Sequence, residues 1–229
     1  MFHDEPMKRL VRVVLFLLYS TTNAVLVPAH AVEKSPNEWI TDAKAFYNRG
    51  TDYYGKGDYE AAIKDLSAAI ALEPKAPDAY FNRGLSYRRQ HKIEDAISDF
   101  SKAIKLYPGQ SSYYFERCNA FIVKNDLNEA VTDCSEAVRL SPEAGEYFLL
   151  GVAHLLRDNL DEALADSVQA LQLQPDYLDA RRLLYETLVK REAMINSARN
   201  PSIRNEKNIN NTVNRSANLP GGVFSTEKT

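Results

Sequence analysis

The stretch "AISDFSKAIKLYP" spans Ala96–Pro108, and the chain repeats its pattern at three other places. The other copies read "AIKDLSAAIALEP" from Ala62, "AVTDCSEAVRLSP" from Ala130 and "ALADSVQALQLQP" from Ala163. Each copy closes on a proline, and the four are Pro74, Pro108, Pro142 and Pro175. The interval between successive prolines is nearly constant. A fixed period of about 34 residues is typical of a solenoid, in which each unit packs against its neighbours.

A second, weaker pattern precedes each copy and predicts a helical hairpin. In the first unit it consists of Phe46, Gly50 and Tyr53, and intervals of three and four place these residues on one face of a helix. Ala62 and Leu66 share a face of the next segment in the same way. Each unit is therefore predicted to contain two helices that pack face to face.

The position between the two helices of each unit holds a residue type that tolerates left-handed backbone geometry at a helix end. The four residues at this position are Gly57, His91, Asn125 and Asp158. This placement predicts that His91 is a turn residue rather than a ligand.

Three units carry an arginine that precedes an aspartate by the same interval: Arg49 and Asp65, Arg83 and Asp99, Arg117 and Asp133. A hairpin would bring the two members of each pair opposite one another, which predicts ion pairs within the hairpins rather than a catalytic or ligand-binding cluster. In the fourth unit Leu150 faces Asp166, so we expect Asp166 to lack such a partner.

The order of aromatic, small, aromatic, alanine and proline positions in each period resembles the tetratricopeptide repeat. The resemblance covers residues 43–176, in units 43–76, 77–110, 111–143 and 144–176. The "NRG" triplets that begin at Asn48 and Asn82 are similar to a common variety of the repeat. The resemblance implies an all-α fold, a right-handed solenoid of helical hairpins, with residues 32–42 as a short lead-in.

The segment after the last repeat is predicted to form two further parts. Residues 177–199 have a helical composition with a largely polar surface, which suits a capping helix over the last apolar face. Residues 200–229 are rich in Asn, Ser and Thr, with Phe224 as the only aromatic residue, and we expect a disordered tail. The alternative is a motif that docks on the array or on a partner.

The N-terminal residues 1–31 have the order of a secretory signal peptide. A basic segment, Met7–Arg12, precedes an apolar one, Val13–Tyr19, and small residues follow at Ala29 and Ala31. We expect cleavage after Ala31 and export to a periplasmic or extracellular compartment, with no membrane attachment afterwards. The alternative is an uncleaved anchor, although the apolar run is shorter than the roughly twenty residues that a span needs.

Two cysteines, Cys118 and Cys134, fall on opposite helices of the third unit where these should face each other. In an oxidising compartment they could form a disulfide. The alternative is a pair of buried thiols that act as small apolar residues.

The composition argues against several classes of function. The net charge is only −3 and no long basic run occurs, which argues against nucleic-acid binding. The histidines, His3, His30, His91 and His154, do not have the spacing of a zinc site. No phosphate-binding loop and no GxSxG or HExxH motif is present. We therefore expect no enzymatic activity, no cofactor and no metal.

The resemblance implies that the first helices line a concave groove that binds peptides or protein segments. The matching positions follow the core aromatic residues by one, and each unit has an aromatic residue there: Tyr47, Phe81, Phe115 and Phe148. The flanking positions are Thr51, Tyr54, Leu85, Arg88, Asn119, Ile122, Val152 and Leu155. The variety of the family that clamps the C-terminal carboxylate of heat-shock chaperones uses Lys, Asn and Arg on this face. Here Tyr47, Thr51 and Glu116 stand at matching places, so that specificity is not expected.

An exposed aromatic row predicts a scaffold that binds a segment with apolar side chains. The structural alternative is that the four rings pack sideways between neighbouring first helices as core. Two other functions remain open at this point. One is a self-associating module whose groove is filled by its own or a neighbour's C-terminal segment, and the other is a non-catalytic domain of a larger cell-envelope complex.

Overall fold

The computed structural model describes residues 36–199, which form nine α-helices joined by short turns and no strand. The helices are α1 (Pro36–Gly55), α2 (Tyr59–Leu72), α3 (Pro77–Arg89), α4 (Ile93–Leu106), α5 (Ser111–Lys124), α6 (Leu127–Leu140), α7 (Ala144–Leu156), α8 (Leu160–Leu173) and α9 (Leu178–Arg199). Each helix packs against the next one along the chain, and α9 packs against both α8 and α7. The predicted all-α solenoid of helical hairpins is confirmed.

The ends of the array differ in detail from the pattern in the sequence. Helix α1 begins at Pro36, inside the segment 32–42 that the sequence pattern assigns to a lead-in. The segment expected to cap the array forms α9. The predicted signal peptide, residues 1–31, and the predicted tail, residues 200–229, lie outside the described residues.

The turn within each hairpin is left-handed, as the sequence predicts. The backbone φ angles are 80° at Gly57, 60° at His91, 67° at Asn125 and 64° at Asp158. At Asn125 this conformation lets the backbone N–H donate to the carbonyl of Ile122, at 3.0 Å, which satisfies an open carbonyl at the end of α5. The prediction that His91 is a turn residue is confirmed.

In the first two hairpins a glycine on the first helix faces a bulky residue on the second. A Cβ atom on Gly84 would lie 2.7 Å from Cε1 of Phe100, and one on Gly50 would lie 2.8 Å from Cγ of Leu66. Phe100 and Leu66 are fully buried. The glycines are needed because these side chains occupy the space that a Cβ would take.

The third and fourth hairpins fill the same space differently. Cys118 and Cys134 stand at the glycine and bulky positions of the third hairpin, where a disulfide joins them with their Cα atoms 5.4 Å apart. In the fourth hairpin the residues at both positions, Gly151 and Ser167, are small. There Leu183 of α9 enters, and its Cδ2 would lie 3.0 Å from a Cβ on Gly151. Helix α9 therefore completes the packing of the last hairpin.

The predicted ion pairs within the hairpins are confirmed. Arg83 donates from Nε and Nη2 to the two carboxylate oxygens of Asp99, each at 2.8 Å, and from Nη1 to Ser67 Oγ of the preceding hairpin, at 3.0 Å. Arg117 makes the same set of bonds to Asp133 and Ser101. Each of these arginines therefore ties two successive hairpins together.

Burial affects both partners of the second ion pair. It raises the pKa of Asp99 above its ordinary value, although the hydrogen bond and the charge of Arg83 act in the opposite direction. Burial by itself would lower the pKa of Arg83. The hydrogen bond to Asp99 and the negative charge of Asp99 outweigh this effect, so the pKa of Arg83 is raised.

The fourth hairpin differs from the other three in the partner of its aspartate, Asp166. Leu150 stands at the arginine position, but Asp166 is not left alone, because its Oδ2 lies 2.7 Å from Nδ1 of His154. Asp166 thus lacks an arginine partner, as expected, but it is not unpaired. A histidine on α7 replaces the arginine as the partner of the carboxylate.

Candidate ligand groove on the first helices

The first helices of the four hairpins, α1, α3, α5 and α7, lie side by side, and side-chain contacts link three of them in succession. Asn82 Nδ2 donates to the Tyr47 hydroxyl at 2.9 Å, which joins α3 to α1. The Tyr113 hydroxyl bonds to the carboxylate of Asp78, which joins α5 to α3. Burial, followed by this hydrogen bond, raises the pKa of Tyr113. These contacts align the predicted groove positions from one hairpin to the next.

The four aromatic residues of the predicted row, Tyr47, Phe81, Phe115 and Phe148, are all half-buried. The Phe81 ring packs with its centroid 4.9 Å from that of Tyr113 and 5.8 Å from that of Phe100. The Phe148 ring lies 5.3 Å from that of Tyr177. Phe115 packs against the buried cluster that contains the disulfide. Phe81 and Phe115 thus take part in core packing, and all four rings keep part of their surface open.

The flanking positions are also half-buried, and the structure brings them to the same row of helices. They are Thr51, Tyr54, Leu85, Arg88, Asn119, Ile122, Val152 and Leu155. Leu85 and Ile122 pack against buried clusters of the second and third hairpins. The Tyr54 hydroxyl accepts a long hydrogen bond from Nε of Arg89, at 3.4 Å. We call these eight residues and the four aromatic residues the groove face.

Two apolar residues on this face, Val123 and Leu156, are largely exposed and were missed from the sequence. They directly follow Ile122 and Leu155 at the ends of α5 and α7. Residues at positions i, i+4, i+7 and i+8 share one side of a helix, so the spacing from Phe115 was the available signal. The equivalent residues of the first two hairpins are Gly55 and Arg89.

Arg88 is the one charged residue among the twelve of the groove face, and it pairs with Glu116 of α5. Nη2 of Arg88 lies 2.9 Å from Oε2 of Glu116, and both side chains are mostly buried. Burial raises the pKa of Glu116, and the positive charges of Arg88 and Arg89 only partly oppose this effect. All three groove-face positions of α7 are apolar, whereas each of the other three helices contributes at least one polar residue.

Other kinds of site have little support within residues 36–199. No group of His, Cys, Asp and Glu side chains in that range could hold a metal ion, and none of its helices has the length and apolar content of a membrane span. An open depression of about 430 Å³ lies beside the first two hairpins and contains no residue of the groove face. It is lined by Glu60, Ile63, Lys64, Tyr87, Gln90 and Lys92.

Comparison with known proteins agrees with this geometry. A tetratricopeptide-repeat family model matches residues 47–111 and 84–145. No curated protein sequence matches the chain. A structure of MamA from Desulfovibrio magneticus RS-1, covering its residues 41 to the end, is 20% identical with a TM-score of 0.64, over 69% of this chain and 90% of its own.

A second solved structure is that of YrrB, described as a TPR protein with an unusual peptide-binding site. It is 20% identical with a TM-score of 0.61, over 69% of this chain and 84% of its own. At such identities the similarity shows the fold alone. Residues 47–145 thus match the tetratricopeptide repeat, and residues 36–199 have the fold of a helical solenoid of that type.

Proposed function

We propose that this chain is a non-enzymatic scaffold that binds a peptide or protein segment along its groove face. The observation that carries the proposal is the row of four half-buried aromatic rings, one at the same position of each first helix. Solenoids of this kind use extended concave surfaces for binding. The similar structure of YrrB, with its peptide-binding site, supports the same use of the fold here.

The ligand is a segment with apolar side chains. Val123 and Leu156 extend the aromatic row with exposed apolar surface over the third and fourth hairpins. Large side chains that remain partly exposed in a contiguous row usually mark an interaction site, because their burial by a partner is favourable. The contact with apolar side chains should therefore be concentrated over α5 and α7.

The test avoids residues that the core needs. Phe81 and Phe115 pack against buried clusters, so their replacement by alanine would change the fold and binding together. A Val123→Asp/Leu156→Asp variant instead places two charges on exposed positions of the groove face. A matched control, Tyr107→Asp/Leu173→Asp, places two charges on exposed apolar residues outside the first helices.

Peptides selected from a display library for binding to the parent chain provide the ligand for titration. We expect the groove variant to bind them at least roughly tenfold more weakly, a loss of about 1.4 kcal/mol or more, because each aspartate would need to be desolvated against apolar surface. The control should bind like the parent. Equal binding by the groove variant, or an equal loss in the control, would contradict the proposal.

We also propose that the protein functions after export. The order of charged, apolar and small residues in 1–31 supports this, and so does the bridge between Cys118 and Cys134, since structural disulfides persist in oxidising compartments. N-terminal sequencing of the protein from its native source should give Val32 as the first residue, and thiol titration after unfolding should find no free thiol. An intact Met1 together with two free thiols would contradict export.

A further inference from the structure

Helix α9 occupies the place of the first helix of a fifth hairpin. Its buried residues, Ala180, Leu183 and Thr187, face the preceding hairpin. Tyr185 lies one repeat period after Gly151, and Leu188 lies one repeat period after His154. In the complete hairpins these two positions face the second helix. The corresponding side of α9 has no second helix among residues 36–199.

That side of α9 carries a regular stripe of exposed residues. We call it the end stripe; its members are Leu178, Arg181, Tyr185, Leu188, Glu192 and Ile195. The apolar residues of the end stripe are exposed to solvent. The accessible fraction is 69% for Leu178, 68% for Tyr185, 47% for Leu188 and 42% for Ile195. The intervals along the helix alternate between three and four, beginning and ending with three, which is the spacing of a coiled-coil seam.

A standard second helix does not fit on this side. In every complete hairpin the residue equivalent to Tyr185 is small, because the two helices approach closely there. These residues are Gly50, Gly84, Cys118 and Gly151. A tyrosine at this position keeps a second helix from approaching to the same distance. A second helix with the geometry of the other hairpins is therefore disfavoured on this side of α9.

The end stripe is complementary to itself. Its intervals read the same in both directions, so two antiparallel copies align residue by residue. Leu178 then meets Ile195 of the other copy, Tyr185 meets Leu188, and Arg181 meets Glu192. The apolar pairs bury exposed surface and the charged pair has opposite signs, which favours this register. A two-fold axis repeats each contact, as in most homodimers.

We propose that two copies of this chain associate through their end stripes, with the two α9 helices antiparallel. The association leaves the groove face free, because the positions of α9 that continue the groove face, Arg182 and Val189, lie on another side of the helix. The dimer thus presents two grooves. One helix pair buries less area than a standard interface of about 1,600 Å², so the dimer is a weak one.

Sedimentation equilibrium of the chain with residues 200–229 retained tests the proposal at concentrations up to the order of 100 μM. We expect a reversible monomer–dimer equilibrium in the parent chain. Arg181→Glu and Glu192→Arg should each weaken dimerisation at least roughly tenfold, because each places like charges opposite one another twice per dimer. The double variant, Arg181→Glu/Glu192→Arg, should restore the dimer.

The double variant separates the contact between copies from local effects. Arg181 also donates to the carbonyl of Pro175, at 2.8 Å, and this bond is lost in both the Arg181→Glu single variant and the double variant. Arg182→Glu changes the charge of an adjacent exposed residue outside the end stripe, and it should leave dimerisation unchanged. A further variant, Leu188→Glu, should give a monomer.

Three results would overturn the proposal. The first is a parent chain that stays monomeric at every concentration. If hydrogen exchange also showed that residues 178–195 are protected only when residues 200–229 are present, the tail rather than a second copy would cover the stripe. The second is a dimer that survives both Arg181→Glu and Leu188→Glu. The third is a charge-reversed double variant that remains monomeric although its circular dichroism matches the parent.

Discussion

Gly84 shows at the scale of one residue why the repeat pattern is strict. A Cβ at this position would lie within 3.0 Å of two ring atoms of Phe100, and that ring is completely buried. We expect Gly84→Ala to lower the free energy of unfolding by about 1–3 kcal/mol, the usual cost of overpacking a core. Gly145→Ala is the matched control, because no atom lies within 4 Å of its added Cβ. It should be neutral or stabilise α7 by up to about 1 kcal/mol. Urea denaturation of both variants decides the point, and equal effects would contradict the packing argument.

Glu116 predicts a pH dependence of stability. Burial raises its pKa in the folded state above the usual 4.5. The folded chain therefore holds the proton of the Glu116 carboxyl more tightly than the unfolded chain does. As the pH rises from the unfolded-state pKa to the raised folded-state pKa, the contribution of Glu116 to stability falls. We expect Glu116→Gln to become progressively more stable relative to the parent between about pH 4 and pH 7, as measured by urea denaturation.

In the control variant, the stability difference from the parent should change with pH in the opposite direction. The half-buried Glu136 has a pKa lowered by its hydrogen bond to Arg139, so its contribution is present at neutral pH and is lost as the pH falls. Relative to the parent, Glu136→Gln should therefore lose stability as the pH rises. A Glu116→Gln variant whose difference from the parent does not change with pH would refute the assignment.

Several single residues could be predicted from sequence because the repeat places them. The turn residues and the Arg–Asp pairs recur at fixed intervals, and their roles follow from a hairpin geometry that all units share. His154 with Asp166 could not be predicted this way, since the pair occurs in one unit only and replaces a different partner. Val123 has the spacing of the groove face, eight residues after Phe115, but the first two hairpins have Gly55 and Arg89 there, so the repeat shows no apolar pattern at this position.

At the scale of helices, a disulfide holds the two helices of the third hairpin together at the point where side-chain packing does so in the first two hairpins. Cys118 and Cys134 have a sequence separation of 16 and occupy the positions that Gly84 and Phe100 fill in the second hairpin. Reduction should lower the free energy of unfolding by about 3 kcal/mol on the chain-entropy argument. Thermal unfolding with and without reductant, followed by circular dichroism, measures this change.

The second hairpin suggests the control. A Cys118→Gly/Cys134→Phe variant introduces the pair of the second hairpin, and it should fold as helix and unfold at the same temperature with or without reductant. Cys118→Ala/Cys134→Ala should be equally insensitive to reductant but less stable than the oxidised parent. A parent chain whose unfolding does not respond to reductant would contradict the structural role of the bridge.

Helix α9 is joined to the array through one side chain in particular. Leu183 is buried against Gly151, where the small Ser167 leaves space. We expect Leu183→Ala to cost about 2–5 kcal/mol, because it leaves a cavity at the end of the core. Met194→Ala, at an exposed position of the same helix, should cost little. Guanidinium denaturation of the two variants compares them, and a similar small effect in both would show that α9 does not complete the last hairpin.

The sequence predicted the elements better than their ends. The period of the apolar residues indicates every hairpin, because two facing helices require two apolar faces. It does not indicate that α1 extends back to Pro36, since the added residues lie before the first repeat and have no counterpart to compare with. The entry of Leu183 into the fourth hairpin was also beyond the pattern, because it depends on two small residues on other helices.

At the scale of the whole molecule, repetition produces both the stability and the surface. Arg83 and Arg117 tie the second and third hairpins to the ones before them, and an aromatic side chain occupies the same groove-face position of each first helix. Among residues 36–199 the last first-type helix, α9, has no second helix against it, and its end stripe is exposed. Under our two proposals, one array uses its groove face for an extended ligand and its end stripe for a second copy.

The most direct test of the central claim maps where a bound segment lies. A peptide selected for binding, carrying a photoreactive side chain, is cross-linked to the folded chain, and the attachment sites are read by mass spectrometry. The account predicts attachment to the first helices, around Phe81, Ile122 and Leu155. Attachment confined to the second helices, α2, α4, α6 and α8, would contradict it.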